Sequence, residues 1–195
     1  AISYVTSGDI HFDDEIKVVF NEPVVSKEAL SKDANLSSPF TFKPDIDGKT
    51  YWKERNVLIF KPDKHLSGRT RYEATLKLQE VSTRFKEEKI EDLVFRFHVL
   101  GRDLTALKGN LELKDRDDPK ILQYSGTLTF SEKTTLEALQ KAVNLKGDKK
   151  VSLTLSQVDD WNFRFTSSDI VRTDKDKTFT LHIDKKPLEL ENDVT

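Results

Sequence analysis

A chain of 195 residues with 36% hydrophobic and 34% charged residues favours two small, surface-rich domains of about 100 residues each over one large core. Its 32 Lys and Arg are interspersed among 34 Asp and Glu, which offers no basic face to a nucleic-acid backbone, and no apolar run approaches the roughly 18 residues that cross a bilayer. The lack of Cys excludes disulfides, thiolate metal sites and thiol nucleophiles; with no Met and with Ala1 at its start, the sequence reads as a processed or excised piece of a larger protein.

Short runs of period-two alternation between turn formers dominate the chain, as expected of strands with one buried face. In the first half, Ile16, Val18 and Phe20 share a face, then Phe40 and Phe42, then Tyr72, Ala74, Leu76 and Leu78, then Phe95, Phe97 and Val99. Between the first two runs, "SKEAL" offers Ser26 as the N-cap of a brief helical turn. The pattern resumes with Leu111 and Leu113, then Leu122, Tyr124, Leu128 and Phe130. "TTLEALQKAV" predicts one short helix, with Thr134 and Glu137 spaced as a capping box and Leu136, Leu139 and Val143 on one side. Val151, Leu153 and Leu155, then Phe163 and Phe165, then Phe179, Leu181 and Ile183 complete the second set.

The stretch "VVFNEPVVSKEAL" returns later as "LTFSEKTTLEAL". Phe20 aligns with Phe130, Asn21-Glu22 with Ser131-Glu132 and, after one deletion, Ala29-Leu30 with Ala138-Leu139. Trp52 and the strand ending at Phe60 find counterparts in Trp161 and the strand ending at Phe165. One module used twice predicts an all-β chain of two tandem Ig-like antiparallel β-sandwich domains, residues 1–101 and 102–195, with one short helix in the second. In "LSGRTRYEATL", Leu66, Gly68 and Tyr72 have the spacing of a tyrosine corner, the hydroxyl folding back onto upstream backbone and Gly supplying the turn. The second copy has Phe179 there, with no hydroxyl.

Residues that could carry chemistry are scattered. His11, His65, His98 and His182 form no metal-ligand spacing, no Ser sits in a G-x-S-x-G elbow, and 7 Gly build no phosphate loop. "DIDGK" at Asp45 to Lys49 opens like a calcium loop but lacks the later ligands, which points to a Gly-assisted hairpin; Asp115 to Asp118, before Pro119, reads as a solvated connection. Trp52 beside Tyr51, and Trp161, could stack on sugar rings. Their matched positions instead place both tryptophans between sheets. No catalytic, cofactor-binding or metal-binding residue is expected.

"YVTSGDIHFDDEIKVVFNEPVV" followed by "FTFKPDIDGKTYWKERNVLIFKPDKHLSGRTRYEATL" resembles the N-terminal portion of bacterial alpha-2-macroglobulin-like proteins and is also similar to the generic bacterial Ig-like module. The resemblance covers residues 1 to about 101. It implies macroglobulin-like sandwiches forming a non-catalytic scaffold segment of an exported, broad-spectrum protease inhibitor, periplasmic or anchored at the cell envelope. The implied partners are neighbouring domains of the same larger chain and, through the full-length protein, target proteases. The family's thioester Cys has no counterpart in this sequence. The piece alone is expected to be monomeric, without cofactor and without nucleic acid. The alternative is a pair of Ig-like spacer or ligand-binding modules from an adhesin or a secreted polysaccharide-degrading enzyme.

Overall fold

A computed structural model describes residues 2–30, 38–148 and 150–195, and the chain divides into two units, 1–100 and 101–195. In the first, β1 (Ile2–Val5), β2 (Gly8–Ile10) and β3 (Ile16–Phe20) precede α1 (Lys27–Leu30). Then come β4 (Phe40–Lys43), β5 (Gly48–Glu54), β6 (Val57–Pro62), β7 (Thr70–Leu76), α2 (Leu78–Val81), α3 (Thr83–Glu87) and β8 (Leu93–Val99). They form two four-stranded sheets, ordered β1-β3-β6-β5 and β2-β8-β7-β4. Pairing is antiparallel except between β2 and β8.

The alternating residues fill this sandwich. Ile16, Val18 and Phe20 from one sheet and Phe40, Phe42, Ala74 and Phe97 from the other are buried in one core. Aromatic rings bridge the layers: Phe42 and Phe60 have centroids 4.6 Å apart, and α3 inserts Phe85 at 5.6 Å from Phe20. Ser82 caps α3 by accepting a hydrogen bond from the Phe85 N–H at 3.2 Å. The "DIDGK" loop does not turn a hairpin: Phe42 pairs with Ala74 of β7 while Thr50 pairs with Phe60 of β6, so the loop crosses between sheets.

Leu66, Gly68 and Tyr72 make contacts other than those of the expected corner. Leu66 is buried and donates its N–H to the Phe12 carbonyl at 2.9 Å. A Cβ on Gly68 would stand 2.7 Å from the Phe12 ring and 3.2 Å from the Leu100 carbonyl oxygen, so Gly68 is required by close approach. The positive φ of the turn belongs to Arg69, at 56°. Tyr72 stacks on Phe97 with centroids 5.4 Å apart, and its hydroxyl makes no hydrogen bond to another described residue.

The second unit contains β9 (Leu104–Leu113), β10 (Ile121–Phe130), α4 (Leu136–Ala142), β11 (Val143–Lys146), β12 (Leu153–Gln157), β13 (Asn162–Ser167), β14 (Ile170–Val171), β15 (Thr180–Ile183) and α5 (Lys185–Leu188). β12, β13, β10 and β9 lie side by side, β14 adding to β10 beyond the end of β13, while β11 and β15 form a separate two-stranded ribbon. Leu128, Phe130, Phe163 and Phe165 pack against Leu139 and Ala142 of α4, Leu181 and Ile183 of β15, and Leu188 of α5. One five-stranded sheet is thus covered by a ribbon and two helices, rather than by a second full sheet.

The expected single helix in this unit is therefore joined by α5. Asp184 caps α5 by accepting from the Lys186 N–H at 2.9 Å, and Pro187 sits in its first turn, where a missing N–H costs no helical bond. The cap of α4 is Thr135, accepting from the Ala138 N–H at 3.2 Å, rather than Thr134, which is buried and donates to the Glu132 carbonyl.

Strand register defines the repeat. Val18 pairs with Leu58 and Ile16 with Phe60, just as Leu128 pairs with Phe163 and Gly126 with Phe165. Phe20 and Phe130 are both buried and both donate their N–H across a turn, to the carbonyls of Asn56 and Trp161 respectively, each at 2.9 Å. The two tryptophans do not correspond. Trp161 holds the turn position of Asn56, whereas Trp52, opposite Leu58, matches Gln157, opposite Phe163. Trp52 packs against Phe20 at 5.9 Å; Trp161 is 42% exposed and does not lie between sheets.

Candidate functional site

The sugar-platform candidates are not assembled. Tyr51 and Trp52 are consecutive in β5 and face opposite sides, Trp52 inward to Phe20 and Tyr51 outward, its hydroxyl donating to Glu15 Oε1 at 3.1 Å. Partial burial, then the Glu15 carboxylate, raises the Tyr51 pKa. Trp161 sits in a turn organised by Asp159, whose Oδ1 accepts from the backbone N–H of Trp161 and of Asn162, each at 2.8 Å. The Asn162 side-chain amide, then the Trp161 N–H, lower the Asp159 pKa.

The acidic loops satisfy themselves. Asp115 Oδ1 accepts from the Asp117 N–H at 2.9 Å and Asp118 Oδ1 from the Lys120 N–H at 3.1 Å, closing the connection between β9 and β10. Asp45 and Asp47 border a small cavity of about 140 Å³ with Lys64, His65 and Tyr72. Among the described residues, no three His, Asp or Glu side chains are placed to share a metal ion. The histidines have separate settings: His98 Nδ1 meets Asp9 Oδ1 at 2.9 Å, His65 stacks on Phe12 at 5.7 Å, and His182 Nδ1 is buried without a hydrogen-bond partner among the described residues.

A concavity of the first unit lies on the solvent face of β2, β8 and β7, about 280 Å³ in volume and lined by Asp9, Arg71, Arg96 and His98. Alternation puts these side chains together: Asp9 pairs with His98, Arg71 with His98, and Glu73 with Arg96. Arg96 Nε donates to Glu73 Oε2 at 2.9 Å, so opposite charges are matched along the strands. These groups can hold the sheet face in water; they present no nucleophile aligned with a base.

Two features of the second unit go beyond the period-two reading. Arg102, only 8% exposed, donates from Nη1 to the Leu188 carbonyl at 2.6 Å and from Nη2 to the Lys133 carbonyl at 2.7 Å, joining the end of α5 to the segment before α4. A charged residue between a Gly and an Asp reads as a linker, and only its position beside two carbonyls distant in sequence makes it a fastener. The second feature is β9, whose apolar residues Leu107, Leu111 and Leu113 are 40%, 55% and 46% exposed although they alternate as core residues do.

The family model of the bacterial Ig-like domain matches residues 5–97, nearly the whole first unit. Residues of that unit are thus an Ig-like domain of a bacterial protein, and nothing in the match points to the alpha-2-macroglobulin family in particular. No curated protein matches the chain. Among solved structures, L,D-transpeptidase 3 from Mycobacterium tuberculosis is similar at 14% identity and a TM-score of 0.39, over 88% of this chain and 77% of that one. Its complex with a faropenem-derived adduct aligns at 15% identity and a TM-score of 0.38, over 65% of this chain and 45% of that chain, so this chain spans less than half of it. An L,D-transpeptidase from Mycobacterium smegmatis aligns at 11% identity and a TM-score of 0.36, over 91% and 78%. Likenesses at TM-scores this low say nothing of function.

Proposed function

We propose that this chain is a non-catalytic scaffold segment of a larger exported bacterial protein, in which Ig-like domains set spacing and present strand edges and loops to neighbouring domains. One observation carries the reading: the first unit matches an Ig-like domain and closes its interior with aromatic rings, leaving its charged groups on the surface, some of them paired. The groups with shifted proton affinity fit the same picture. Glu28 and Glu137 are lowered by helix-turn and helix-pair hydrogen bonds, Asp148 and Asp159 by turn hydrogen bonds, and each shift has a local, structural cause.

Ig-like domains of this family occur in bacterial surface or envelope proteins, which supports a periplasmic or surface-anchored location for the whole protein. The finer reading, a segment of a macroglobulin-like protease inhibitor acting on target proteases, rests on the resemblance of residues 1–101. Two assays separate these readings. The 195-residue chain, titrated into trypsin, should neither inhibit it nor hydrolyse peptide, ester or glycoside substrates; stoichiometric inhibition or turnover would overturn the scaffold reading. A full-length protein that leaves proteases uninhibited would remove the inhibitor reading alone.

A further inference from the structure

We propose that β9 is a homotypic pairing edge, through which two copies of this chain join by antiparallel β9–β9 pairing about a twofold axis at Asn110. Among the described strands β9 pairs only with β10, so one side of this ten-residue strand keeps unpaired backbone groups. The Lys114 N–H donates to the Ile121 carbonyl at 3.0 Å, which orients even-numbered residues toward β10. The N–H and C=O groups of Leu107, Gly109, Leu111 and Leu113 consequently point to the open side.

The register with β10 also assigns the faces. Leu107 lies opposite the buried Leu128, and Leu111 opposite Tyr124, so the exposed leucines stand on the core-side face of the sheet. Natural edges are blunted by Pro, by bulges or by charge. From Ala106 to Leu113 this one has no Pro, runs in unbroken register, and carries a single cation, Lys108.

The charges select the second copy as occupant. Pairing about Asn110 places Leu107 opposite Leu113 of the second copy and Gly109 opposite Leu111 of the second copy, all with outward-pointing backbone groups. It also sets Lys108 against Glu112 of the second copy, and symmetry repeats that ion pair. A slip of two residues one way puts Lys108 opposite Asn110, and the other way opposite Lys114, losing both ion pairs. Only the Asn110-centred register satisfies backbone, leucines and charges together. This reading is independent of the scaffold assignment and replaces the expectation of a monomer.

Sedimentation equilibrium of the 195-residue chain, from about 1 μM to about 1 mM, tests it. Wild type should form a dimer. Lys108→Glu and Glu112→Lys, both at exposed positions, should each weaken it by about tenfold or more, with far-UV circular dichroism unchanged. A 1:1 mixture of the two variants should recover the dimer, because one variant's edge is then acidic at both positions and the other's basic at both. A wild type that stays monomeric to the highest concentration, the face then belonging to another segment or protein, would overturn the proposal. So would a Lys108→Glu chain that dimerises as tightly as wild type, or a mixture no tighter than its components.

Discussion

Removing the Arg102 guanidinium should loosen the second unit and leave the first untouched. Its hydrogen bonds at 2.6 and 2.7 Å are each a charge-assisted bond to a backbone carbonyl. Such bonds contribute on the order of 1.5–3 kcal/mol each, because losing the donor strands the acceptor. Against this stands the desolvation of a cation buried to 8% exposure, which the variant no longer bears. Taking the lower end for each bond, Arg102→Ala is expected to cost about 3 kcal/mol. Arg102→Lys, a point charge that reaches one carbonyl at a time, should cost roughly half as much. Native-state amide exchange reads the units separately: the amides of Leu139 and Ile183 should lose protection by that amount, while those of core strand residues such as Val18 and Phe97 keep theirs. If Arg102→Ala left Leu139 and Ile183 within about 0.5 kcal/mol of wild type, the fastening role would be wrong.

Other expectations follow from single contacts. Gly68→Ala should cost about 1–3 kcal/mol, because the Phe12 ring 2.7 Å from the new Cβ has to move, whereas Tyr72→Phe, which removes a hydroxyl bonded to no described residue, should change the melting free energy by less than about 0.5 kcal/mol. Equal effects of the two would contradict the corner as described. Trp52→Ala should cost about 2–3 kcal/mol by uncovering Phe20, and Trp161→Ala at an exposed turn less than about 0.5 kcal/mol, measured by urea unfolding. The Asp159 pKa is depressed from its ordinary value of 3.8, so its stabilisation is complete above that value and is lost as pH falls through the lower folded one. Acid unfolding of Asp159→Ala should therefore lack this component; an identical pH profile would deny the turn its ionised cap.

Alternation by itself determined where most strands lie and which of their residues face inward, because the side-chain period of a strand is set by the backbone and needs no partner to be legible. Phe20 and Phe130 each end an alternating run, and both are buried. Which strand pairs with which was decided in three dimensions. Trp161 and Trp52 look equivalent along the chain, yet pairing opposite Leu58 packs one partly buried against the core and a turn beyond Gln157 exposes the other. Thr134 and Thr135 are equally good caps in sequence; the burial of Thr134 beside the Glu132 carbonyl leaves the cap to its neighbour. Leu107, Leu111 and Leu113 alternate as core residues do, but burial needs an opposing layer, and in the second unit that layer is a short ribbon with two helices. Periodicity reports which side of a strand is apolar. Only tertiary packing decides whether anything covers it, because cover comes from segments distant in sequence.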